Sequence, residues 1–227
     1  MKLATLLIIA VLAFLVGIYK TEAASPASGS VPAAATAVNA TSKFQLGKHY
    51  EMISAVPAKS ADQIEVAVVF WYGCPHCLAF EPVLEQWRRS VGVPIKLVRI
   101  PAMFPLARLH AQAFFTAEAV GKINEMHDAF FTEIHANRNR LETREKLQEF
   151  FARFGVDAKR FNDAFDSAIV HEEMDNALQL AKKYRAAFVP TIVINGKYKT
   201  DPSAAGGPAA LVELMNELVK AEVKPKA

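Results

Sequence analysis

Cysteine is scarce: 227 residues carry two, Cys74 and Cys77, and no third with which either could form a long-range staple. A disulfide-stapled scaffold is therefore disfavoured. No second Cys-x-x-Cys and no His-x-x-x-His accompanies the pair, so a four-ligand zinc site lacks half its ligands, and no metal is expected. No stripe of lysine and arginine stands out either. Net charge is +3 with both signs interleaved, which argues against a nucleic-acid partner. Charge is missing altogether from 23–42, a run of Ala, Ser, Thr and Pro that cannot bury enough apolar surface to order itself. What remains is 52 % apolar and 22 % charged, enough for one good-sized core.

The N-terminus carries Lys2 and then an apolar run, Leu3 to Ile18, broken only by Thr5. It reads as a signal peptide cut near Ala23 or Ala24, with a membrane anchor over residues 3–19 as the alternative. No lipobox cysteine is present, which excludes a lipoprotein. Either leader delivers the domain to an oxidising, extracytoplasmic compartment. Asn39-Ala40-Thr41 matches a glycosylation acceptor, a pattern short enough to arise by chance.

The two cysteines lie where a strand should meet a helix. Val66 to Tyr72 is short, uncharged and rich in β-branched and aromatic residues, as a buried strand is. Gly73 ends it. From Cys77 through Phe80, Leu84 and Trp87 the spacing is helical, which places Cys74 at a helix N-terminus, where free N–H groups and the helix dipole favour a thiolate. Cys-x-x-Cys beside a strand–helix unit is a redox signature. Cys74, ahead of the helix, should be the exposed sulfur, with Cys77 inside the first turn. Pro75 and His76 lie between them, and an imidazole there favours the thiolate.

Cys74-Pro75-His76-Cys77 after an aromatic strand end resembles the DsbA family of thiol:disulfide oxidoreductases, noted for depressed cysteine pKa and oxidising potential. The fold this implies is α/β, thioredoxin-like, with an inserted all-helical subdomain. The chain divides accordingly into a leader (1–22), a linker (23–43), a first thioredoxin-like part (44–104), a helical insertion (105–187) and a second part with the C-terminal helix (188–227).

The rest of the chain follows that order. Phe44 to Ile53 is read as an edge strand, and Pro94 to Ile100 as a strand parallel to the one before Cys74. Pro82 should kink the helix, since it removes a backbone bond. From Pro105 to Ala187 apolar residues recur at helical spacing: Ala113, Phe114, Ala117 and Val120; Met126, Phe130, Phe131 and Ile134; Leu147, Phe150, Phe151 and Phe154; Phe161, Phe165 and Ile169; Leu178, Ala181 and Tyr184. Five helices fit, with Gly121 and Gly155 at helix ends and Thr143 and Asp157 as N-caps. The phenylalanines are read as core, with a few lining a peptide groove towards the active site as the alternative, the stretch from Asn137 to Arg153 as a solvated face, and His110, His127, His135 and His171 as surface or core-edge residues. Phe188 to Ile194 returns to strand, Asn195-Gly196 signals a hairpin, and a last helix runs from Ala209 to Ala221 with Leu211, Leu214 and Leu218 as its apolar stripe.

The resemblance assigns Pro190 as a cis proline against the active-site disulfide and Val189 as the residue whose backbone pairs with an extended substrate. It implies no cofactor beyond the Cys74–Cys77 disulfide, reduced unfolded exported proteins as substrates, a DsbB-type membrane reoxidant, a periplasmic location and a monomer. It implies a dithiol oxidase; a disulfide isomerase or reductase, and a non-enzymatic thioredoxin-like binding or chaperone module, are the alternatives. A strongly depressed Cys74 pKa should make the reduced form the more stable one at pH 7. One position departs from the family. Relatives often carry a buried acid six residues before the first cysteine, and here that residue is Val68. Proton transfer at Cys77 then needs water or another side chain, and Arg99, where relatives pair a base with that acid, faces solvent or finds a new partner.

Overall fold

A computed structural model gives the structure of the protein and describes residues 42–54 and 63–223. The leader and nearly all of the linker lie outside the described residues. The linker's last two do not hang free: Ser42 bonds Glu217 and Lys43 pairs with Glu213, both on the final helix.

Five strands form one mixed sheet in the order β1-β5-β4-β2-β3. The central strand is β2 (Ile64–Phe70), whose residues from Glu65 onward are all buried. A strand covered on both faces needs no alternation, and the run Val66 to Phe70 is apolar throughout. It pairs in parallel with β3 (Ile95–Pro101) and antiparallel with β4 (Thr191–Ile194). β5 (Tyr198–Thr200) continues the sheet, and β1 (Glu51–Met52) forms its far edge. The first strand is thus two residues long rather than ten. Phe44 and Tyr50 are buried, but turns at 47–49 break the extended run. β4 likewise begins at Thr191 and not at Phe188, because Pro190 has no N–H to give a ladder. Asn195 and Gly196 both take positive φ, 51° and 67°, as the expected hairpin turn requires.

Helix α1 (Pro75–Ser90) follows β2 and runs on through Pro82. Between β3 and β4 lie five helices: α2 (Arg108–Ala119), α3 (Ile123–His135), α4 (Arg144–Ala152), α5 (Ala158–Phe165) and α6 (Ala168–Lys183). Thr143 and Asp157 cap α4 and α5 through their side chains. Gly121, at φ 71°, closes α2: its N–H bonds Glu118 O and that of Lys122 bonds Ala117 O, the paired bonds of a Schellman ending. A short helix α7 (Pro202–Ala205), absent from the sequence reading, precedes α8 (Pro208–Glu222), whose Leu211, Leu214 and Leu218 are fully buried.

Aromatic packing joins sheet to insert. Phe70 meets Phe114 at 5.6 Å, and Tyr72 stacks on Phe130 at 4.5 Å. Two expectations about the insert change. Ile169 is 60 % exposed, because Ser167 caps a new helix and breaks the spacing that tied it to Phe165. The stretch from Asn137 to Arg153 is not simply solvated: Leu141 is buried, and Asn137, Asn139 and Arg153 all bond the buried carboxylate of Glu133. The strands, the Cys74 helix and the helical insert have the thioredoxin-like arrangement that the resemblance implied.

Candidate active site

β2 ends at Phe70, and a tight turn, Trp71 to Cys74, carries the chain onto α1. The Cys74 N–H donates to Trp71 O at 3.0 Å. Gly73 leaves room for the Trp71 indole: a Cβ on it would come within 2.4 Å of the ring, which would have to shift. Cys74 is the N-cap of α1, with extended backbone, and its sulfur accepts from the Cys77 N–H at 3.4 Å. Both cysteines are reduced. Cys74 is 6 % exposed and Cys77 2 %, so the order expected from sequence holds while Cys74 is far from open. The peptide carbonyl of Val189 lies 3.6 Å from its sulfur and helps to cover it. Pro75 and His76 are exposed beside it.

The two thiols are perturbed in opposite directions. A hydrogen bond from the Cys77 thiol to Cys74, helped by the N–H groups of Cys77 and His76 and by the His76 charge, outweighs burial and brings the Cys74 pKa down from 9.0 to about 6. The same bond, together with burial, pushes Cys77 far up. The pair's remaining proton belongs to Cys77.

Val68, where an acid was missed in the sequence, is buried and lies directly opposite Arg99 in the β2–β3 register. Arg99 does not face solvent. Its guanidinium bonds Glu81 at 2.8 Å and Glu85 at 2.9 Å, both on α1. Glu81 follows Cys77 by one helical turn and is buried, and His127 Nε2 approaches its carboxylate at 3.2 Å, close but off the line of a hydrogen bond. Burial alone would raise the Glu81 pKa, but the contacts from His127 and Arg99 overcome it and hold the carboxyl at about 2. Such a carboxylate is a fixed anion at neutral pH, and its charge is one of the causes that keep Cys77 protonated. The i,i+4 spacing from Cys77 was there to be read in the sequence.

Three of the four insert histidines converge on the active-site turn, which no local pattern announces. His110 accepts the Trp71 indole N–H at 3.1 Å, His127 Nδ1 lies 2.9 Å from the Tyr72 hydroxyl, and His135 Nε2 donates to Tyr72 O at 2.8 Å. His110 and His127 are buried, and His171 is exposed on α6.

The Val189–Pro190 peptide bond is cis. Beside it a cavity of about 520 Å³ is lined by Met103, Phe104, Leu178, Ala181 and Phe188 among others. Phe188 and Phe104 are 57 % and 39 % exposed, whereas the insert's Phe130, Phe131, Phe150 and Phe151 are core. Among the described residues no group of three or more His, Cys, Asp and Glu is placed to hold a metal ion, and no helix is long and apolar enough to cross a membrane.

The family model described as a DsbA-like thioredoxin domain matches residues 83–210. The chain is 39 % identical to the thiol:disulfide interchange protein DsbA of Pseudomonas aeruginosa over 79 % of its own length and 86 % of that protein's. It is 35 % identical to DsbA of Burkholderia cepacia over 90 % of its length and 89 % of that protein's. The crystal structure of Pseudomonas aeruginosa DsbA superposes with a TM-score of 0.74 at 38 % identity, covering 79 % of this chain and 94 % of that one.

Proposed function

The chain belongs to the DsbA family of thiol:disulfide oxidoreductases, and from that premise we propose that it donates the Cys74–Cys77 disulfide to reduced proteins newly arrived in the periplasm. A substrate thiolate attacks the Cys74 sulfur, the S–S bond breaks, and Cys77 leaves with the electron pair and takes up a proton. A second substrate thiolate then attacks the substrate's own sulfur in the mixed disulfide. The substrate disulfide forms, Cys74 departs as thiolate, and two electrons have passed to the enzyme.

The observation that carries these roles is the opposed perturbation of the two thiols. Cys74, at about 6, is the better leaving group in the second step, and Cys77, held protonated, does not compete for the substrate. Pro75 and His76 tune the pair, the former by opening the helix at its first position. Val189 lies just outside the β4 ladder, so its peptide makes no ladder bond and, once its carbonyl gives up the Cys74 sulfur, pairs with an extended substrate, with Pro190 fixing the bend. The cavity lined by Phe104 and Phe188 takes an apolar side chain of that substrate. The protein needs no cofactor besides its disulfide, works as a monomer, and is reoxidised by a DsbB-type membrane partner after its leader (1–22) has been cut. Residues 44–104 and 188–227 form the redox part, and 105–187 the insertion that covers it.

Trapping tests the assignment. Cys77→Ser should accumulate mixed disulfides with reduced periplasmic proteins on non-reducing gels, and Cys74→Ser should capture few. Equal or reversed trapping would assign the nucleophile the other way.

A further inference from the structure

His110, on α2, touches neither cysteine, yet it fixes the residue that opens the active-site turn. Its Nδ1 faces the Trp71 indole N–H at 3.1 Å, and its Nε2 faces Arg140 O at 2.9 Å. An indole nitrogen can only donate and a carbonyl can only accept. The imidazole is therefore neutral, with its proton on Nε2. The two rings lie nearly parallel at 6.2 Å, and Phe104 packs edge-on against the indole at 5.3 Å. The indole in turn fills the space above Gly73, while Trp71 O receives the Cys74 N–H. One line of contacts runs from α2 to the sulfur-bearing residue.

We propose that His110 is a positioning residue for disulfide exchange, holding Trp71 over the turn that presents Cys74, and that it does so only as the neutral imidazole. The proposal rests on the reading of Cys74 as the attacked sulfur. A second ring proton would set Nδ1–H against the indole N–H, two donors with no acceptor between them, and the contact must then open. The groups facing the ring are Trp71 and Tyr72 from the turn and the backbone of Arg140 and Leu141, with the charges of Arg140 and Glu142 beyond; those two pair with each other at 2.9 Å. Burial holds His110 below the ordinary histidine range, so the contact is closed at neutral pH and opens in acid.

The test uses the oxidised protein, in which no thiol titrates, with Trp87→Phe so that Trp71 is the sole indole. In that background the emission of Trp71 should change on acidification below the ordinary histidine pKa. His110→Gln keeps an acceptor for the indole and a donor for Arg140 O but does not titrate, so it should abolish the change. Disulfide transfer to a reduced peptide at neutral pH should stay within about twofold in His110→Gln and fall about tenfold in His110→Leu, the factor expected when one buried donor loses its partner. A transition that persists in His110→Gln, or that His127→Gln removes instead, overturns the proposal, as does an unaltered rate in a folded His110→Leu. If the leucine variant does not fold, the glutamine titration decides alone. Trapping by Cys77→Ser is read separately, so loss of the Cys74 assignment and loss of the His110 role are told apart.

Discussion

Helix α1 holds two anions by different means. At its N-cap the Cys74 thiolate is stabilised by neighbours in sequence, the Cys77 thiol and the N–H groups of Cys77 and His76. Two turns on, Glu81 is held by Arg99 from β3 and His127 from α3, groups 18 and 46 positions away in the chain. The first anion comes and goes with the redox state. The second is permanent. The helix end supplies donors for a charge that has to change, and tertiary contacts fix one that must not.

The largest effect should come from breaking the permanent anion's support. Arg99→Ala leaves Glu81 buried beside His127 alone, and truncating one partner of a buried pair costs about 3 kcal/mol. The sign in pH follows from a depressed carboxyl. With 4.5 as its ordinary value and about 2 in the fold, Glu81 contributes about 3 kcal/mol above pH 4.5, and this is lost as pH falls through 2. Chemical denaturation at pH 7 and pH 3 checks both statements: by pH 3 wild type should have lost about 2 kcal/mol of this contribution and Glu81→Gln none of it, and an Arg99→Ala variant as stable as wild type at pH 7 would show that Glu81 does not depend on Arg99.

How far each anion could be read in the sequence follows the same division. Cys74 at a helix N-terminus, Cys77 one turn inside, the parallel third strand, five insert helices and the Asn195-Gly196 turn all rest on local spacing, and the structure has them. The partners of Glu81 do not, because Arg99 and His127 meet it only when β3 and α3 pack against α1. His110 and His135 escaped for that reason too: a lone histidine at helical spacing carries no mark of the indole or carbonyl it will meet. Phe44 to Ile53 failed differently. Its residues suit a strand, but the turn at 47–49 leaves only Glu51 and Met52 in the ladder. The cis bond at Pro190 came from family resemblance, since most prolines in such runs are trans.

The changeable anion sets the next effect, and here the structure revises the expectation. With Cys74 at about 6 against 9.0, the thiolate stabilises the reduced fold by about 1.4 kcal/mol at pH 7. Closing a loop of about four residues stabilises the oxidised form by about 2 kcal/mol. The reduced form is thus not the more stable at pH 7; the two nearly balance. A depressed pKa gives its full contribution above the unfolded value and loses it as pH falls through the folded one, so at pH 9 the Cys74 thiolate contributes about 3.7 kcal/mol; the raised Cys77 pKa takes back about 0.4 kcal/mol there, and the reduced form leads by about 1.3 kcal/mol. Paired denaturation curves should cross between pH 7 and 9. A reduced form that leads by several kcal/mol already at pH 7 would place the Cys74 pKa well below 6.

The smallest effect separates the two local supports of the Cys74 thiolate. Cys77→Ala removes the thiol that donates to Cys74, the largest single cause of its lowered pKa, and keeps the backbone N–H at 77. His76→Ala removes an exposed imidazole whose charge is the least of the named causes and likewise keeps its N–H. An exposed charge is screened by water and salt, while a buried hydrogen bond between two sulfurs is not. Both substitutions should raise the Cys74 pKa, Cys77→Ala by more. The His76 share should shrink as salt rises from about 0.01 to about 1 M, where the screening length falls from about 30 to about 3 Å. Ultraviolet absorbance of the thiolate, followed against pH in each variant at both salt levels, gives the two contributions directly. A larger rise in His76→Ala than in Cys77→Ala would move the control of the thiolate from the buried sulfur pair to the exposed ring, and with it the distinction between an anion held by its neighbours' backbone and one held by a side-chain charge.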